Sequence, residues 1–403
     1  MNITQAVILA AGEGTRMRPL TYTRPKVMLP LAGKPILEHL ILAMQQAGIA
    51  DFIIICGYHD EIIRNYFGNG RHWNVNLQYV NQRKQLGTAD ALRMAEGFVK
   101  GNFIMANGDV VIERQDIQSL IQRTGNVMTT IELQDVSNLG VVEGRDGKVV
   151  HIYEKMVEPP SHLANAGIYL FTLDIFKAIE KTPKSLRGEY EITDSIQILV
   201  DSGKQVNYQI LNKWSDLSYP WDLLSANESF MSELKPNNSG EIEANVVLNG
   251  DISLGEGTII RSGSYIIGPV IIGQNCDIGP NCFIRPSTCL GDNCHIGAGV
   301  EVKNSIVMGG TKIPHLSYVG DSIIGENCNL GAGTKIANLK LDKQNISING
   351  IDTKRRKLGA IIGDKVETGI NTSINVGTLI GNNAHIGPGA LAHGIISPGS
   401  RIF

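Results

Sequence analysis

Aliphatic residues recur at every sixth position over a long C-terminal stretch, and this spacing limits the possible folds more than any other feature of the sequence. A first run reads IGQNCD, IGPNCF, IRPSTC, LGDNCH and IGAGVE from position 272, and the spacing returns from positions 324 and 362. A hexapeptide repeat predicts a parallel β-helix, whose aliphatic side chains point into a narrow prism. Because each coil is buried only against its neighbours, many repeats are needed, and residues 242–403 supply them.

The same repeat accounts for many of the glycines and cysteines. The chain holds 45 glycines, many of which follow the aliphatic position, where we expect them to turn the corner with a positive φ. The fifth position of the hexad is small and also faces inward, so cysteines there are interpreted as small buried hydrophobes, with a metal site as the alternative. These cysteines are Cys276, Cys282, Cys294 and Cys328.

The first 235 residues follow a different pattern, in which apolar runs of strand length alternate with segments of helical periodicity. TQAVILA, FIIICGY and NFIMANGDVVI are predicted strands, whereas ILEHLILAMQQAG and TADALRMAEGF are predicted helices. Strands separated by helices indicate βαβ units and a mixed, mostly parallel sheet. The polar segment 232–241 is the expected linker. We therefore predict an α/β domain over residues 1–235 and the β-helix over residues 242–403.

Charge and hydropathy argue against two classes of partner. The formal net charge is -3, with 36 basic and 39 acidic residues, so the chain has no overall attraction to nucleic acid or to an anionic membrane. No apolar run reaches the ~20 residues that a membrane-spanning helix needs, and the N-terminal apolar run is too short for a secretion signal. None of the six cysteines forms a close CxxC pair. A reduced, cytoplasmic setting without nucleic-acid or membrane partners is expected.

The segment LAAGEGTRMRPLTYTRPKVML follows the first predicted strand and places cations after a glycine turn. A dinucleotide-binding turn would need a third glycine where Met17 stands, and a phosphate loop would need Lys followed by Ser or Thr. Two interpretations stay open. Backbone N–H groups around Gly12 and Gly14 can cradle phosphates that Arg16 and Lys26 neutralise, or the segment is an ordinary charged surface loop.

Three further features bear on that choice. Asp109 ends the run NFIMANGD and can hold Mg²⁺ at the carboxyl edge of the sheet or begin a helix. The polar turn QRKQLGTADA suits hydrogen bonding to a nucleobase, or is a plain helix start. A carboxylate, a cation and an amide suited to a sugar phosphate follow at Glu154, Lys155 and Asn165.

Together these features resemble the signature of sugar-1-phosphate nucleotidyltransferases, GxGTRxxPLTxxxPKxxxP, and the resemblance extends to SDLSYPWDLLSAN. It implies a Rossmann-like fold and Mg²⁺-dependent transfer of a nucleotide from UTP or dTTP to a sugar 1-phosphate. The sugar phosphate oxygen would attack the α-phosphorus, and pyrophosphate would leave. The implied catalytic residues are Arg16 and Lys26. The implied nucleotide-binding residues are Leu9, Ala10, Ala11, Gly12, Gly14, Gln82, Gly87 and Thr88. The implied sugar-phosphate residues are Gly140, Glu154, Lys155 and Asn165. The implied metal ligands are Asp109 and Asp216, with Asp222 as the alternative to Asp216.

One stretch of the repeat departs from the period. The hexad register slips between Val302 and Ile313, and His315 and Tyr318 lie within KNSIVMGGTKIPHLSYVGDSIIGENCNLGAGTKIANLK. His315 is either a structural residue or a general base, a task that suits imidazole near neutral pH.

This stretch resembles the acetyltransferase half of the bifunctional enzymes that make UDP-N-acetylglucosamine, and most closely the archaeal-type sugar-1-phosphate nucleotidyltransferase/acetyltransferases. The resemblance implies a left-handed parallel β-helix, a homotrimer, and acetyl transfer from acetyl-CoA to glucosamine 1-phosphate or galactosamine 1-phosphate. His315 would be the general base. The implied residues for the sugar phosphate and acetyl-CoA are Arg285, Lys303, Tyr318, Asn329, Asn338, Lys340 and Lys343.

The segment 341–360 interrupts the period and is expected to leave the solenoid as a loop. Its cations Arg355, Arg356 and Lys357 either attract the phosphates of coenzyme A or form a solvated charge run. Two rival functions stay open. One is a nucleotidyltransferase with a structural or regulatory β-helix, and the other is a regulatory subunit without chemistry.

Overall fold

A computed structural model describes residues 3–136, 139–154, 158–215 and 217–403. Two predicted site residues, Lys155 and Asp216, lie outside these ranges. Contacts divide the chain into two compact units, here called the α/β unit and the solenoid unit. The α/β unit comprises Met1–Glu13, Arg24–Met28 and Pro35–Asp216, and the solenoid unit comprises Gly14–Thr23, Leu29–Lys34 and Leu217–Phe403.

Strands and helices alternate along the first half of the chain, as the sequence predicts. The strands are β1 Gln5–Ala10, β2 Pro30–Leu31, β3 Lys34–Pro35, β4 Asp51–Cys56, β5 Asn76–Asn81, β6 Phe103–Asn107, β7 Asn126–Glu132, β8 Gly140–Arg145, β9 Lys148–Glu154, β10 Leu163–Phe171 and β11 Val206–Ile210. The α-helices are α1 Ile36–Gln46, α2 Asp60–Phe67, α3 Thr88–Arg93, α4 Arg114–Ile121, α5 Asp174–Ile179, α6 Ile192–Asp201 and α7 Asp222–Met231. Short 3₁₀ helices span Thr15–Met17, Lys26–Met28 and Arg71–Trp73.

The main sheet of the α/β unit has the order β5-β4-β1-β6-β10-β7-β11-β9-β8. β5, β4, β1 and β6 are mutually parallel, and β7 is parallel to β11. β10 runs antiparallel to both β6 and β7, and β9 runs antiparallel to both β11 and β8. The sheet is mixed, as predicted. The expectation of a mostly parallel sheet holds for the half around β1, whereas the other half is largely antiparallel.

Helices cover both faces of this sheet, and an apolar cluster fills each side. Alternate residues of β1 point to opposite faces, so Ile8 joins the cluster beneath α1, α2 and α4, while Val7 joins the cluster beneath α3, α5 and α6. Burial on both faces explains why the central strands are continuous apolar runs such as FIIIC. Within the described residues, no helix is long and apolar enough to cross a bilayer.

The solenoid unit consists of short strands that rotate through three parallel sheets, in agreement with the predicted β-helix. The His295 sheet contains Glu241–Ile242, Ile259–Ile260, Asp277–Ile278, His295–Ile296, Lys312–Ile313, Asn329–Leu330, Glu367–Thr368, His385–Ile386 and Arg401–Ile402. The Tyr318 sheet contains Val247–Asn249, Tyr265–Ile267, Phe283–Ile284, Glu301–Lys303, Tyr318–Gly320, Lys335–Ile336, Ser373–Ile374 and Leu391–Ala392. The Ile323 sheet contains Ile252–Leu254, Val270–Ile272, Thr288–Leu290, Ile306–Val307, Ile323–Ile324, Ala360–Ile362, Thr378–Ile380 and Ile395–Ile396.

The predicted slip of the hexad register is one shortened coil. His295 pairs with Asp277, 18 positions earlier, but with Lys312, only 17 positions later. The aliphatic residues nevertheless stay in line, because Ile296 still pairs with Ile313. The longer interruption carries a separate antiparallel hairpin, Ser347–Ile348 with Ile351–Asp352. The insert therefore leaves the solenoid, as predicted.

All six cysteines are buried and free. The four at the fifth hexad position belong to the apolar core of the solenoid, as expected of small buried hydrophobes. Burial raises the pKa of the Cys289 and Cys328 thiols to about 12, so both thiols stay protonated at neutral pH.

The glycine that follows the aliphatic position is required, at most of the repeats, for a different physical reason from the one predicted. At Gly273 and Gly325 the backbone is not in the positive-φ region. A Cβ at Gly273 would lie 2.7 Å from the backbone N of Asp292 in the next coil, so a side chain there would clash with the backbone. Positive φ occurs instead at the fourth position, for example at Asn275 with φ 53°, because asparagine tolerates the left-handed region. The prediction of positive-φ corner glycines was therefore wrong for Gly273 and Gly325, whereas Gly279, which follows Ile278, has φ 112° as predicted.

Two substitutions in the turn 273–275 distinguish a position that has no room for a Cβ from a position that needs a positive φ. We expect Gly273→Ala to lower the melting temperature clearly, because its Cβ meets the fixed backbone of the next coil. We expect Asn275→Gly to change it little, because glycine adopts a positive φ without strain. Thermal unfolding followed by circular dichroism measures both. Equal effects of the two variants would contradict this explanation.

The outward side chains of the Ile323 sheet are largely apolar and buried, including Cys289, Ile306, Ile323 and Ile361. Segments outside the coils that belong to the same unit also make polar contacts within it. Asn227 in α7 accepts a hydrogen bond from the Ala32 N–H at 2.9 Å and donates one to the carbonyl of Ser287 at 3.0 Å. Thr23 donates to Asp364 at 2.5 Å. These contacts explain why residues from the opening loop cluster with the solenoid.

Candidate active sites

Four parallel strands of the α/β unit end at one edge of the sheet, where loops carry the predicted nucleotide-binding residues. β5, β4, β1 and β6 run in the same direction, so their carboxyl ends lie side by side. The Gly108 N–H donates to the carbonyl of Leu9 at 2.8 Å, and Gln85 Nε2 donates to the carbonyl of Ala11 at 2.8 Å. The structure thereby brings the residues after β1 close to those after β5 and β6. The predicted residues at this edge are Leu9, Ala10, Ala11, Gly12, Gln82 and Asp109.

Lys26 and Asp109 form the charged centre of this edge. Lys26 Nζ lies 2.5 Å from Asp109 Oδ2, and the two side chains are 14% and 35% exposed, respectively. Lys26 begins a 3₁₀ helix, and Asp109 lies two residues beyond the end of β6. A cation is therefore held next to a carboxylate at a position where open α/β sheets bind ligands.

This carboxylate has the chemistry that Mg²⁺ requires. Magnesium prefers oxygen ligands, and sites that act on nucleotides hold it through one or two carboxylates together with the substrate phosphates. Asp109 supplies one such ligand. Asp216 lies outside the described residues. The alternative, Asp222, accepts a hydrogen bond from the Tyr219 N–H at 2.6 Å at the start of α7.

The side chain of Gln82 is buried and oriented by a second carboxylate. Its Nε2 donates to Asp90 Oδ2 at 2.9 Å and to the carbonyl of Gly87 at 3.4 Å. Because a carboxylate can only accept, the amide nitrogen must face Asp90. The amide oxygen of Gln82 is therefore the atom left to accept a hydrogen bond. Asp90 was not predicted from the sequence; it lies eight residues after Gln82, in α3.

Gly87 and Thr88 shape the start of α3. Gly87 has φ 108°, and a Cβ there would lie 2.7 Å from the backbone N of Tyr190, so only glycine fits. Thr88 Oγ1 accepts a hydrogen bond from the Ile192 N–H at 2.9 Å. The predicted base-reading turn is thus held against the start of α6 by a hydrogen bond between the Thr88 side chain and the Ile192 backbone.

The described residues of the predicted sugar-phosphate group lie together. Gly140 pairs with Glu154 across β8 and β9, and a Cβ at Gly140 would lie 3.7 Å from the Cβ of Asn165. Glu154 Oε1 accepts a hydrogen bond from Thr193 at 2.8 Å, and Glu154 Oε2 lies 3.6 Å from Arg187 Nη2. Sequence analysis missed Thr193 and Arg187 because both reach Glu154 from far along the chain. Lys155 lies outside the described residues.

Gly14 and Arg16 belong to the solenoid unit. Gly14 has φ 65° and begins the 3₁₀ helix that carries Arg16. The exposed Arg16 guanidinium lies 5.8 Å from the centre of the Tyr219 ring, a distance at which cation–π attraction operates. Tyr219 in turn stacks on Trp221 at 4.8 Å.

The Tyr318 sheet carries a polar row on its outer face, where the predicted acetyltransferase residues meet. Phe283, Glu301 and Tyr318 are neighbours in successive coils. Arg285 Nη1 donates to Glu301 Oε1 at 2.9 Å, and its guanidinium lies 5.5 Å from the centre of the Phe283 ring. Burial raises the pKa of Tyr318, with further contributions from the nearby carboxylates, so its hydroxyl stays protonated at neutral pH.

A buried carboxylate joins three predicted residues at the end of this row. Asp321 Oδ2 accepts hydrogen bonds from Lys303 Nζ at 3.2 Å and from Asn338 Nδ2 at 2.6 Å. Asn338 Nδ2 also donates to the Tyr318 hydroxyl at 3.1 Å. The motif HLSYVGD contains Asp321, but the sequence alone did not indicate these contacts.

The other predicted acetyltransferase residues lie elsewhere. His315 is exposed in the turn between the His295 and Tyr318 sheets. Asn329 is exposed on the His295 sheet, so one chain does not place it in the polar row of Tyr318. Lys340 pairs with Asp342 at 3.3 Å, and Lys343 lies in the same exposed segment of the insert.

The basic run of the insert is partly structural. Arg355 Nη2 lies 2.7 Å from Glu228 Oε1 in α7, and its Nη1 donates to Ser225 at 2.7 Å. The Arg355 side chain is therefore engaged within the solenoid unit instead of forming a solvated charge run.

Comparison with known proteins supports the family resemblance of both halves of the chain. The profile of the "Nucleotidyl transferase" family matches residues 5–233, and that of the "GMPPB C-terminal domain" matches residues 266–376. "Bifunctional protein GlmU" of Methanococcus maripaludis strain C7 is 43% identical over 404 residues, covering 99% of this chain and 97% of that protein. A "Bifunctional sugar-1-phosphate nucleotidylyltransferase/acetyltransferase" of Sulfurisphaera tokodaii is 38% identical, covering 96% and 97% of the two chains.

Among solved structures, a UDP-glucose pyrophosphorylase complexed with UDP-glucose superposes with a TM-score of 0.53 at 22% identity, covering 58% of this chain and all of that one. This likeness supports the Rossmann-like α/β fold of the first half. The chain belongs to the nucleotidyl transferase family and, over its full length, to the bifunctional GlmU group within it.

Proposed function

We propose that this protein makes a nucleotide-activated N-acetylamino sugar in two reactions. It transfers an acetyl group from acetyl-CoA to glucosamine 1-phosphate, with galactosamine 1-phosphate as a second acceptor. It then transfers UMP or dTMP from the triphosphate to the sugar phosphate and releases pyrophosphate. The observation that carries the acetyl transfer is the polar row from Arg285 to Asn338 on the solenoid, because a purely structural β-helix needs no such row. The nucleotidyl transfer is supported by the Lys26–Asp109 pair at the carboxyl edge of the α/β sheet. Residues 1–235 would form the nucleotidyltransferase and residues 242–403 the acetyltransferase.

In the nucleotidyl transfer, residues within 1–235 work by positioning and charge neutralisation. Lys26, together with Arg16, binds the triphosphate and stabilises the charge that develops when the sugar phosphate oxygen attacks the α-phosphorus. The N–H groups around Gly12 and Gly14 bind phosphate oxygens. Gly140, Glu154, Lys155 and Asn165 hold the sugar phosphate.

Base selection follows from the orientation of Gln82. Its amide oxygen accepts a hydrogen bond, and the ring N–H of uracil or thymine is a matching donor. Gly87 and Thr88 complete this turn. Leu9, Ala10 and Ala11 line the same edge.

Magnesium would be held by Asp109, with Asp216 as the second ligand. When bound, it would neutralise charge on the triphosphate. Lys26 already faces Asp109, so the ion pair keeps both groups at the place where phosphate and metal meet.

In the acetyl transfer, His315 accepts a proton from the amino group as that nitrogen attacks the thioester carbonyl. The C–N bond forms, the C–S bond breaks, and coenzyme A leaves as its thiol. Arg285 and Lys303 bind the sugar phosphate, and Tyr318, Asn329 and Asn338 position the sugar and acetyl groups. Lys340 and Lys343 contact the sugar phosphate or acetyl-CoA from the insert.

We further propose a left-handed β-helix and a cytoplasmic homotrimer. Asn329 lies on a different sheet from Tyr318, so a site that uses both is completed by a second copy of the chain. Sedimentation equilibrium is expected to give the mass of three chains. The mass of one chain in an enzyme active in acetyl transfer would contradict the shared site.

The test of the function is a pair of assays on one preparation. Thiol release from acetyl-CoA is measured with glucosamine 1-phosphate, and pyrophosphate release is measured with UTP, Mg²⁺ and N-acetylglucosamine 1-phosphate. Both products are expected. Glucose 1-phosphate, which lacks the amine, is the control acceptor in the thiol assay and should release none. Pyrophosphate release without thiol release from either amino sugar would favour the rival with a structural solenoid.

A further inference from the structure

Asp321 is a buried carboxylate at the centre of the acetyltransferase residues. It is 2% exposed and follows the strand Tyr318–Gly320. Its two oxygens accept three side-chain hydrogen bonds, from Lys303 at 3.2 Å, Asn338 at 2.6 Å and Asn304 at 2.8 Å. A charged group removed from water in this way is stable only when its partners satisfy it, so the position of these donors depends on Asp321.

The contact with Asn338 fixes the direction of an amide. A carboxylate offers only acceptor atoms, so Asn338 must turn its nitrogen toward Asp321. The same nitrogen donates to the Tyr318 hydroxyl at 3.1 Å, which accounts for both amide hydrogens. The amide oxygen of Asn338 is therefore the polar atom of this side chain that remains to meet a substrate donor.

The contact with Lys303 fixes a cation in the same place. Lys303 Nζ lies 3.2 Å from Asp321 Oδ2, and the lysine side chain is only 19% exposed. A lysine has a long flexible stem, and the ion pair limits where its ammonium group can lie. One carboxylate thus orients both a phosphate-binding cation and an amide.

We propose that Asp321 is a positioning residue for acetyl transfer, which places Lys303 for the sugar phosphate and turns the Asn338 oxygen toward the amino group of the acceptor. This inference rests on the proposed acetyltransferase function. As the amine attacks the thioester, one of its hydrogens passes to His315 and the other stays on the new amide nitrogen. The Asn338 oxygen accepts a hydrogen bond from that retained N–H and so favours acceptors that carry an amine.

The third partner of Asp321 provides a control for a merely structural role. Asn304 Nδ2 donates to Asp321 Oδ1 at 2.8 Å and also lies 2.8 Å from Glu228 Oε1, which pairs with Arg355. Glu228 therefore belongs to the same hydrogen-bonded network, and its side-chain hydrogen bonds in the described part of the chain go to Asn304 and Arg355, one step away from Lys303 and Asn338. Glu228→Gln should leave acetyl transfer within about twofold of the wild type.

The main test is Asp321→Asn, a change of similar shape that tolerates the positive φ of 51° at this position. We expect the KM for glucosamine 1-phosphate to rise by roughly 10-fold and kcat for thiol release to fall by about 10-fold or more. Misplaced binding groups weaken substrate binding and also hold the substrate in a less reactive geometry. The KM for acetyl-CoA and the rate of pyrophosphate release should stay unchanged.

A swapped pair makes the test independent of general destabilisation. Asn338→Asp alone sets two carboxylates against each other and should lose thiol release. The double variant with Asp321→Asn and Asn338→Asp restores one donor facing one acceptor, and it should be more active than the product of the two single effects predicts. If Asp321→Asn melts far below the wild type, the double variant carries the test, because recovery of thiol release over both single variants depends on the facing pair and not on either group alone.

The outcomes separate the inference from the function beneath it. A wild-type protein that releases no thiol overturns both. A wild-type protein that releases thiol, with Asp321→Asn unchanged in KM and kcat, overturns the inference alone. A loss in Glu228→Gln as large as in Asp321→Asn, or strictly multiplicative effects in the double variant, also overturns it in favour of a structural network.

Discussion

Replacing His315 with alanine is expected to reduce thiol release from acetyl-CoA by about 10²- to 10⁴-fold, the range in which a positioned general base contributes. The imidazole is exposed in the turn before the Tyr318 strand, so its removal takes away no buried packing. The backbone of the turn is held without the ring, because the His315 carbonyl accepts hydrogen bonds from the Gly333 N–H at 2.9 Å and the Ser317 hydroxyl at 3.0 Å. The coil should therefore keep its shape.

The matched control is His295→Ala on the neighbouring sheet. His295 is also a partly exposed solenoid histidine, and it lies 3.8 Å from Asp277. We expect this variant to release thiol at the wild-type rate. Pyrophosphate release should be unchanged in both variants. If His315→Ala released thiol at the wild-type rate, His315 would not be the general base. If the wild-type protein released no thiol, the acetyltransferase proposal itself would be contradicted.

The repeat made the solenoid predictable because its signal is local. A six-residue spacing indicates which side chains face inward, and the core residues from Ile272 to Ile386 agree with this prediction. The reason for the glycines was not predictable in the same way. Whether a Cβ at Gly273 clashes depends on the backbone of the next coil, 18 residues away, and this distance is not visible in the hexad itself.

The strand arrangement of the α/β unit was likewise only partly predictable from the sequence. Helices between strands indicate parallel neighbours, and β1, β4, β5 and β6 are parallel. β10 instead enters between β6 and β7 and runs against both, which depends on pairing between residues far apart in the chain. Thr23 and Asp364, which are 341 positions apart, illustrate why the grouping of the opening loop with the solenoid could not be read from the sequence.

Motifs located candidate site residues but not the groups that orient them. Lys26 and Asp109 were both named from the sequence, and the structure pairs them. Asp90, which orients Gln82, and Thr193, which contacts Glu154, had no motif of their own. Asp321 is part of the motif HLSYVGD, but its contact with Asn338 was not predicted. Such supporting residues are defined by hydrogen bonds across the fold, so they become visible only when the side chains are placed.

Replacing Lys26 with alanine is expected to reduce pyrophosphate release by about 10²- to 10³-fold, the loss that follows removal of one preorganised group that stabilises transition-state charge. Its ammonium group lies against Asp109. The change should cost little stability, because Asp109 is 35% exposed and water can solvate the carboxylate that Lys26 leaves behind. Pyrophosphate release at saturating UTP and Mg²⁺, together with the melting temperature, measures the two effects separately.

Two companion variants distinguish a role in chemistry from loss of an ion pair. Asp109→Asn breaks the same pair but is expected to act through the metal, so it should raise the Mg²⁺ concentration needed for half-maximal rate, which Lys26→Ala should not. Lys100→Ala removes an exposed lysine just before β6 and should leave pyrophosphate release unchanged. Thiol release should be normal in all three variants, because the acetyltransferase residues lie in the solenoid unit. Full pyrophosphate release by Lys26→Ala would show that the Lys26–Asp109 pair only stabilises the fold, and the phosphate-binding role would then have to be assigned to other cations.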